Sequence, residues 1–316
     1  MHAWHVPLLS LAHPDEPALI AQIDQACRTH GFLQVCDHGV APDVMAAVQR
    51  ASRAFFALPE ATKQRWHIQL SGHLHRGYDP IGWQALEAGR PADLKESFYL
   101  GIERGADDPL VQAGVPGYGA NPWPDEALLP GFRAACEAYT LAMSALSRRL
   151  MGLIAQALGL PAHHFDDGMR HPAPVLRLLH YPPQQASQLD RQIGSGAHTD
   201  WGALTLLWQD DAGGLQVQAP DGQWLDVPPE PGAFVVNLGD LMQRWTHDRY
   251  RSNLHRVINA RSGRDRYSIA WFWEVDHDAQ IATLPTCLPA DGSPSRYPPI
   301  TAGEHIQAMY RRTTLA

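Results

Sequence analysis

The feature that most constrains the fold is a series of short apolar runs in the second half of the chain, between residues 201 and 274. Turn signals separate these runs, and the clearest are the Asp- and Gly-containing segments 210–214 and 221–222. Many short strands at this spacing are typical of a β-sandwich or a double-sheet jelly roll. We therefore predict a β-rich core, with strands at 201–209, 215–218, 224–227, 233–238, 256–260 and 266–274.

Helical patterns precede this β-rich part. From residue 131 to residue 158, apolar side chains recur every three or four positions, which predicts one long helix with a buried stripe that braces the sheet. Residues 68–130 are rich in glycine and proline, and we expect long loops with little regular structure there. Shorter patterns predict N-terminal elements, namely helices at 15–27 and 42–58 and strands at 6–11 and 31–35.

Together these patterns predict an α+β, β-rich fold. Its core is a double-stranded β-helix (jelly roll), braced by the long helix and by an N-terminal region of helices and strands. The chain has 316 residues, which is long for one average domain, although β-rich chains of this length often form a single unit. We predict an N-terminal region over 1–130 with helices, edge strands and long loops, then the bracing helix and jelly roll over 131–316, in one compact unit.

Composition limits the class of partner. The formal net charge is −8 and no basic block occurs, so the sequence has no electrostatic footprint for nucleic acid or for an anionic membrane. We expect a small-molecule substrate and a monomer or weak homo-oligomer.

The sequence shows no export signal, no run of membrane-spanning length and no metal-binding spacing among its four cysteines, which predicts a cytoplasmic protein with reduced thiols. Lys63 and Lys95 are the only lysines, and this bias toward arginine suggests a GC-rich, bacterial genome.

Three residues in the second half of the chain form a candidate metal site. His198 and Asp200 are two positions apart, so in an extended segment both side chains project to the same side, and His255 follows on a later segment. Two imidazoles and one carboxylate hold one face of a non-haem Fe(II) and leave the opposite positions free for substrates and O₂. A chain with 17 histidines can also contain a His-x-Asp triplet by chance on a solvated loop.

The surroundings of the triplet resemble a known family, the isopenicillin N synthase-like iron/2-oxoglutarate dioxygenases. The segments similar to the iron-binding half of that family are 198–200, 237–240, 249–257 and 266–268. The segments similar to its N-terminal region are 27–40, 55–59, 76–78 and 93–101. The resemblance implies an enzyme that uses Fe(II), 2-oxoglutarate and O₂ to oxidise a C–H bond of a small molecule, usually by hydroxylation, with release of succinate and CO₂. It also implies that His198, Asp200 and His255 are the catalytic metal ligands.

Arg266 and Ser268 are candidate ligands for a carboxylate. Strand alternation places both on one face, where a guanidinium and a hydroxyl can converge on one carboxylate. In relatives the equivalent pair anchors the distal carboxylate of 2-oxoglutarate, although some members that lack this cosubstrate use it for the carboxylate of the substrate. The resemblance also implies that Tyr181, which precedes a double proline, reaches the cosubstrate. Leu179 stands where many relatives have an asparagine, a departure that affects how the near carboxylate of 2-oxoglutarate is held.

Three further residues are candidates for substrate contacts. Trp201 follows Asp200, Phe272 lies on the predicted strand of Arg266, and His180 precedes Tyr181. Each of the three candidates also occupies an ordinary place for core packing.

Two other functions remain open at this point. One is an Fe(II) oxidase of the same family that does not use 2-oxoglutarate, of the isopenicillin N synthase-like or ethylene-forming type. The other is a jelly-roll binding protein without catalysis. We favour the 2-oxoglutarate-dependent oxygenase over the binding protein, because a protein without turnover has no physical reason to keep both the metal triad and the Arg266–Ser268 pair.

Overall fold

The structure of the protein is a computed structural model that describes residues 5–87, 89, 91–184, 192–258 and 263–313. The helices are α1 (Glu16–Thr29), α2 (Pro42–Phe56), α3 (Glu60–Lys63), α4 (Pro109–Gln112), α5 (Phe132–Ala157), α6 (Asp240–Trp245) and α7 (Ala302–Thr313). The strands are β1 (Leu8–Ser10), β2 (Phe32–Cys36), β3 (Gly77–Asp79), β4 (Glu96–Gly101), β5 (Val175–Tyr181), β6 (Ser195–His198), β7 (Leu204–Gln209), β8 (Leu215–Gln218), β9 (Trp224–Asp226), β10 (Phe234–Leu238), β11 (His255–Val257), β12 (Arg266–Trp273), β13 (Gln280–Ile281) and β14 (Ile300–Thr301). No helix in these ranges is long and apolar enough to cross a membrane.

Two sheets form the core of the molecule. The larger sheet has eight strands in the order β1-β2-β10-β7-β12-β5-β4-β3, and the smaller has four in the order β6-β11-β8-β9. All pairs within these sheets are antiparallel except β1 with β2, which pair in parallel. A hydrophobic cluster that includes Leu179 and Ala270 of the larger sheet and Val217 and Val257 of the smaller one joins the two sheets. This arrangement of two facing sheets is the predicted jelly roll.

Strand β12 separates this inner cluster from a second, larger cluster because its side chains alternate between two faces. Trp271 and Trp273 are fully buried in the larger cluster, together with apolar residues of α5. Ala270 belongs to the inner cluster, and alternation places Arg266 and Ser268 on the same face as Ala270. The strand therefore directs polar side chains into the interior of the jelly roll.

Helix α5 packs on the outer face of the larger sheet, as its apolar stripe predicts. Tyr139 and Met143 on this helix are fully buried, and Ser147 accepts a hydrogen bond of 3.0 Å from the indole nitrogen of Trp271. The helix thus covers the apolar face of β12 and leaves the opposite face free to line a cavity. The predicted bracing role is confirmed.

The region predicted to be mainly loops contains two strands of the larger sheet. β3 and β4 pair with each other, and β4 pairs along its whole length with β5. Glycine and proline made the segment look like a loop, but buried ion pairs hold β4 in the sheet: Lys63 with Glu96, and Asp93 with Lys95. The division of the chain at residue 130 stays a prediction, and strands from both sides of it share the larger sheet.

The packing of α5 leads to a stability prediction. Leu146→Ala removes a side chain that is 3% exposed, whereas Leu141→Ala makes the same change on the same helix at a side chain that is 76% exposed. We expect Leu146→Ala to lower the free energy of unfolding by about 2–5 kcal/mol, because it leaves a cavity against the sheet. Leu141→Ala should change it by less than about 0.5 kcal/mol. Urea denaturation of both variants measures this, and equal losses would show that α5 does not brace the sheet.

Candidate metal centre and the cavity around it

The three predicted metal ligands meet where β6 ends and β11 begins. His198 closes β6, His255 opens β11, and the antiparallel pairing of these strands sets the two residues opposite each other. Asp200 follows two residues after β6, and its Oδ1 lies 3.8 Å from Nε2 of His198 and 3.6 Å from Nε2 of His255. In the described part of the chain, this is the one group of His, Cys, Asp or Glu side chains whose ligand atoms all lie within 4.8 Å of one another.

Backbone carbonyls fix the orientation of both imidazoles. Nδ1 of His198 lies 2.7 Å from the carbonyl oxygen of Gly196, and Nδ1 of His255 lies 3.2 Å from the carbonyl oxygen of Asn253. A carbonyl oxygen can only accept a hydrogen bond, so each Nδ1 carries the proton and each Nε2 keeps a lone pair for a metal. Both lone pairs therefore belong to the nitrogens that face Asp200.

Two polar side chains of the larger sheet orient the carboxylate. Thr205 donates a hydrogen bond of 2.5 Å from its hydroxyl to Oδ2 of Asp200, and the amide of Asn237 donates one of 2.6 Å to the same oxygen. Both donors are buried. With Oδ2 engaged in this way, Oδ1 is left to face the two imidazoles, as a metal ligand requires.

The charges of the three groups suit a bound cation. Burial, followed by the nearby His255, lowers the pKa of His198 to about 3, so this imidazole is neutral at neutral pH. Burial by itself would raise the pKa of Asp200, but the two histidines and the hydrogen bonds from Asn237 and Thr205 outweigh it and hold the pKa below its usual value. Two imidazoles and one carboxylate on one side of a cavity fit Fe(II) with open coordination positions.

A buried arginine lies in the same cavity. Arg266 is 1% exposed; its Nε donates to the carbonyl of Gly213 at 2.7 Å, its Nη1 to the hydroxyl of Ser268 at 3.1 Å, and its Nη2 to Gln209 at 3.2 Å. The guanidinium lies over the ring of Tyr181, 4.7 Å from its centroid. Among the described residues, no carboxylate forms an ion pair with Arg266. A buried cation without a counter-ion is costly, so the arrangement is suited to an anionic ligand.

The cavity brings together most of the residues that the sequence singled out. It is lined by His198, Asp200, His255, Arg266, Ser268, Tyr181 and Phe272. Leu179 also lines it, at the position where an asparagine is common in the family. Apolar side chains from both sheets complete the wall.

The structure separates His180 and Trp201 from this set. His180 lies on the opposite face of β5 from Tyr181, where its Nδ1 contacts Glu96 at 2.7 Å and its Nε2 contacts Asp265 at 2.8 Å. It therefore does not line the cavity, contrary to the expected substrate contact, because adjacent residues of a strand point to opposite faces. The indole of Trp201 packs edge-on against the ring of Tyr310 in α7, with 5.0 Å between centroids, and it too lies outside the cavity lining.

Sequence analysis assigned no role to four polar residues of the cavity: Thr205, Asn237, Arg177 and Ser195. A signal for Arg177 was present, since alternation along β5 puts it on the same face as Tyr181. Asn237 lies on β10, which is distant in sequence from Asp200. Thr205 lies on β7, near Asp200 in sequence, but its side chain points toward the carboxylate only after the sheet forms. Nothing local in the sequence connects them to the carboxylate.

Two family models match the chain. The model described as 2OG-Fe(II) oxygenase superfamily matches residues 172–275, and the model described as non-haem dioxygenase in morphine synthesis N-terminal matches residues 6–126. Among curated relatives, the 2-oxoglutarate-Fe(II) type oxidoreductase hxnY of Emericella nidulans is 40% identical over 300 residues, which cover 93% of this chain and 84% of that protein.

Solved structures agree with the family models. A full-length Neurospora crassa protein, crystallised in complex with alpha-KG and thymine, has a TM-score of 0.86 and 31% identity, over 98% of this chain and 97% of that chain. The structure of JOX2 in complex with 2OG, Fe and JA has a TM-score of 0.79 and 29% identity, over 98% of this chain and 84% of that chain.

The chain therefore belongs to the isopenicillin N synthase-like family of Fe(II)- and 2-oxoglutarate-dependent oxygenases. It is an enzyme whose cofactor is Fe(II) and whose cosubstrates are 2-oxoglutarate and O₂. The predicted family, jelly-roll fold and cofactors are confirmed. The non-catalytic binding protein that the sequence left open is not supported.

The assignment of Asp200 as a metal ligand leads to a test by metal binding. Asp200→Ala should abolish stoichiometric Fe(II) binding and turnover, because it removes the one negative ligand of the metal and leaves only two protein ligands. Asp221→Ala, in an exposed hairpin turn, is the matched control and should bind metal as the natural protein does. Equilibrium dialysis with metal analysis decides the matter, and retained binding in Asp200→Ala would remove this residue from the site.

A graded effect is expected from the hydroxyl that supports this carboxylate. Thr205→Val keeps the shape of the side chain but removes the 2.5 Å hydrogen bond to Oδ2 of Asp200. Fe(II) affinity should fall by about 10- to 100-fold, the usual cost of losing a contact that orients a ligand. The melting temperature of the apo protein serves as the control for folding. An unchanged metal affinity would mean that Asn237 alone orients the carboxylate.

Proposed function

We propose that His198, Asp200 and His255 bind the Fe(II) of this enzyme and that Arg266, Ser268 and Tyr181 bind 2-oxoglutarate beside it. In this proposal the enzyme hydroxylates a C–H bond of a small molecule within the cavity and releases succinate and CO₂. Its support is that all six residues line one cavity, with the metal triad and the arginine on facing elements of the jelly roll.

The observation that carries the cosubstrate assignment is the buried, carboxylate-free guanidinium of Arg266. Three of its nitrogens already donate to Gly213, Ser268 and Gln209, so the fork is held in one orientation before any ligand arrives. A fixed guanidinium next to a hydroxyl matches a carboxylate in charge and geometry. The distal carboxylate of 2-oxoglutarate supplies the missing negative charge.

Each part of the chain then has a distinct task. When bound, Fe(II) supplies the redox chemistry that couples decarboxylation of the 2-oxo acid to oxidation of the substrate. His198 and His255 present their Nε2 atoms and Asp200 presents its Oδ1, and hydrogen bonds hold each side chain on the side away from the metal. Apolar residues such as Leu179 and Phe272 exclude water from the reacting groups, which limits side reactions.

The relatives indicate a small organic substrate without fixing its identity. The Neurospora crassa protein was crystallised with thymine, and JOX2 was crystallised with JA. By analogy we infer a substrate of similar size, and hydroxylation in preference to desaturation or ring closure. Four expectations from the sequence stay predictions: a cytoplasmic location, a monomer or weak homo-oligomer, no nucleic-acid or membrane partner, and a bacterial origin. The relatives are mostly fungal and do not support a bacterial origin.

The test of this proposal is an anaerobic titration of the Fe(II)-loaded protein with 2-oxoglutarate, followed by the visible charge-transfer band of a chelated 2-oxo acid. Arg266→Leu should raise the dissociation constant for 2-oxoglutarate by about 10- to 100-fold, because it removes charge-assisted hydrogen bonds to the carboxylate. The control is Arg53→Leu, which removes an arginine stacked on Tyr267, 4.2 Å from its centroid, on the other face of β12.

Two results would contradict the proposal. If the natural protein binds iron but shows no band, the related oxidase that does not use 2-oxoglutarate becomes the better description. If Arg266→Leu leaves the 2-oxoglutarate titration unchanged but raises the Michaelis constant of the prime substrate, the carboxylate site belongs to that substrate.

A further inference from the structure

A second buried arginine faces the metal cavity. Arg177 lies on β5 opposite Ala270 of β12, on the same face as Leu179 and Tyr181. It is 7% exposed and lines the same cavity as the metal triad. The 2-oxoglutarate site proposed above does not use it. Its position, four residues from Tyr181 along the strand, places it in the part of the cavity left for the prime substrate.

The protein holds the Arg177 side chain in one orientation. Its Nε donates to the hydroxyl of Ser97 at 3.0 Å, its Nη2 donates to the amide oxygen of Gln84 at 3.0 Å, and its guanidinium lies over the ring of Tyr99 at 4.5 Å. Within the described residues no acceptor bonds to Nη1, and this atom is not among the fully buried unpaired atoms. Nη1 therefore remains available to a ligand in the cavity.

The charge of Arg177 is already balanced, in contrast to that of Arg266. Oδ2 of the buried Asp79 lies 3.6 Å from Nη2 of Arg177, and the nearby buried Lys95 pairs with Asp93. Burial raises the pKa of Asp79, and the Arg177 and Lys95 cations oppose that rise. A negatively charged substrate would lose its hydration here without gaining an unpaired cation, which is unfavourable. A neutral carbonyl oxygen is the better partner for Nη1.

A buried carboxyl group follows β12 on the strand face that lines the cavity. Glu274 follows β12 on the face of Phe272, and its Oε1 occupies the space that a Cβ on Gly202 would take. Its Oε2 is buried without a hydrogen-bond partner among the described residues. Burial, and then the charge of Asp200, raise the pKa of Glu274 to about 8, so the group can both donate and accept a hydrogen bond at neutral pH.

The C-terminal helix connects the two groups. Burial raises the pKa of Tyr310 in α7 to about 12, Glu274 adds to this rise, and Arg177 opposes it. Glu274 and Arg177 therefore both affect the pKa of the Tyr310 phenol. The ring of Tyr310 packs on Trp201 and stacks on His75, with 4.5 Å between the centroids of Tyr310 and His75. Along the cavity face of β12, Ala270 lies opposite Arg177, and Phe272 and Glu274 follow it at steps of two residues.

We propose that Arg177 and Glu274 select the prime substrate, and that this substrate is a neutral, planar ring carrying a carbonyl next to an N–H group, such as a cyclic amide. Nη1 of Arg177 donates to the carbonyl oxygen, the carboxyl of Glu274 pairs with the adjacent N–H, and the ring lies against Phe272. The proposal rests on the function proposed above, because it places the ring in the cavity next to the metal and 2-oxoglutarate sites.

Calorimetric titration of the anaerobic protein, loaded with Fe(II) and 2-oxoglutarate, tests this selection. The probes are three rings of similar size: 2-pyridone as the cyclic amide, benzoate as the carboxylate and toluene as the apolar ring. We expect 2-pyridone to bind about tenfold or more tightly than either of the others, the usual gain from a hydrogen bond to a charged donor.

Variants separate a binding role from a structural one. Arg177→Lys keeps the charge beside Asp79 but loses the planar fork, so it should weaken 2-pyridone binding by about tenfold or more and leave toluene binding unchanged. Arg53→Lys is the matched control, since Arg53 also stacks on a tyrosine and lies 3.8 Å from a carboxylate, that of Asp210. Glu274→Leu should weaken 2-pyridone binding, whereas Glu274→Gln, which keeps a donor and an acceptor, should largely restore it.

Several outcomes would overturn the proposal. Tightest binding of benzoate would show that Arg177 acts as a free cation. Failure of 2-pyridone to bind more tightly than toluene, or equal losses for all three probes in Arg177→Lys, would reduce Arg177 to a structural residue. A normal 2-oxoglutarate charge-transfer band in the same samples shows that only the substrate proposal has failed, whereas loss of the band in the natural protein removes both proposals.

Discussion

The metal site depends on the antiparallel register of β6 and β11. This register sets His198 opposite His255, and a shift by one residue would turn one of them to the other face of the smaller sheet. Asp200 joins them from the following loop, but its carboxylate is held by Thr205 and Asn237, which belong to the larger sheet. The three candidate ligands therefore meet only when the two sheets of the jelly roll pack together. Metal binding and assembly of the fold are linked for this reason.

Two buried arginines on the inner face of the larger sheet illustrate how charge balance can determine the class of ligand. Arg266 has three neutral hydrogen-bond partners and no carboxylate among the described residues, so an anion is its best additional partner. Arg177 has Asp79 beside it, so its remaining N–H groups suit a neutral oxygen. Two side chains of the same type are thus adapted to two kinds of ligand in one cavity. The difference arises from neighbouring strands, since β3 supplies Asp79 and no described strand supplies a carboxylate to Arg266.

Much of the fold and of the metal site could be predicted from the sequence, because the signals are local or belong to a family pattern. Strand length, turn residues and the apolar stripe of α5 predict a jelly roll with a bracing helix. The spacing of His198 and Asp200 and of Arg266 and Ser268 follows strand alternation, which acts between nearest neighbours along the chain. His180 shows the limit of such reasoning, because the same alternation directs it away from Tyr181 and into contacts with Glu96 and Asp265.

By itself, the sequence determined the fold class, the family and the residues expected to hold iron and 2-oxoglutarate, because these depend on local pattern and on motif order. Only the tertiary structure decided that β3 and β4 complete the larger sheet, that Thr205 and Asn237 orient Asp200, and that Arg177 lines the cavity with Asp79 at its side. The physical reason is that burial and charge pairing depend on residues far apart in the chain. Whether a buried polar side chain is already paired or left for a ligand is settled only when distant strands pack against each other.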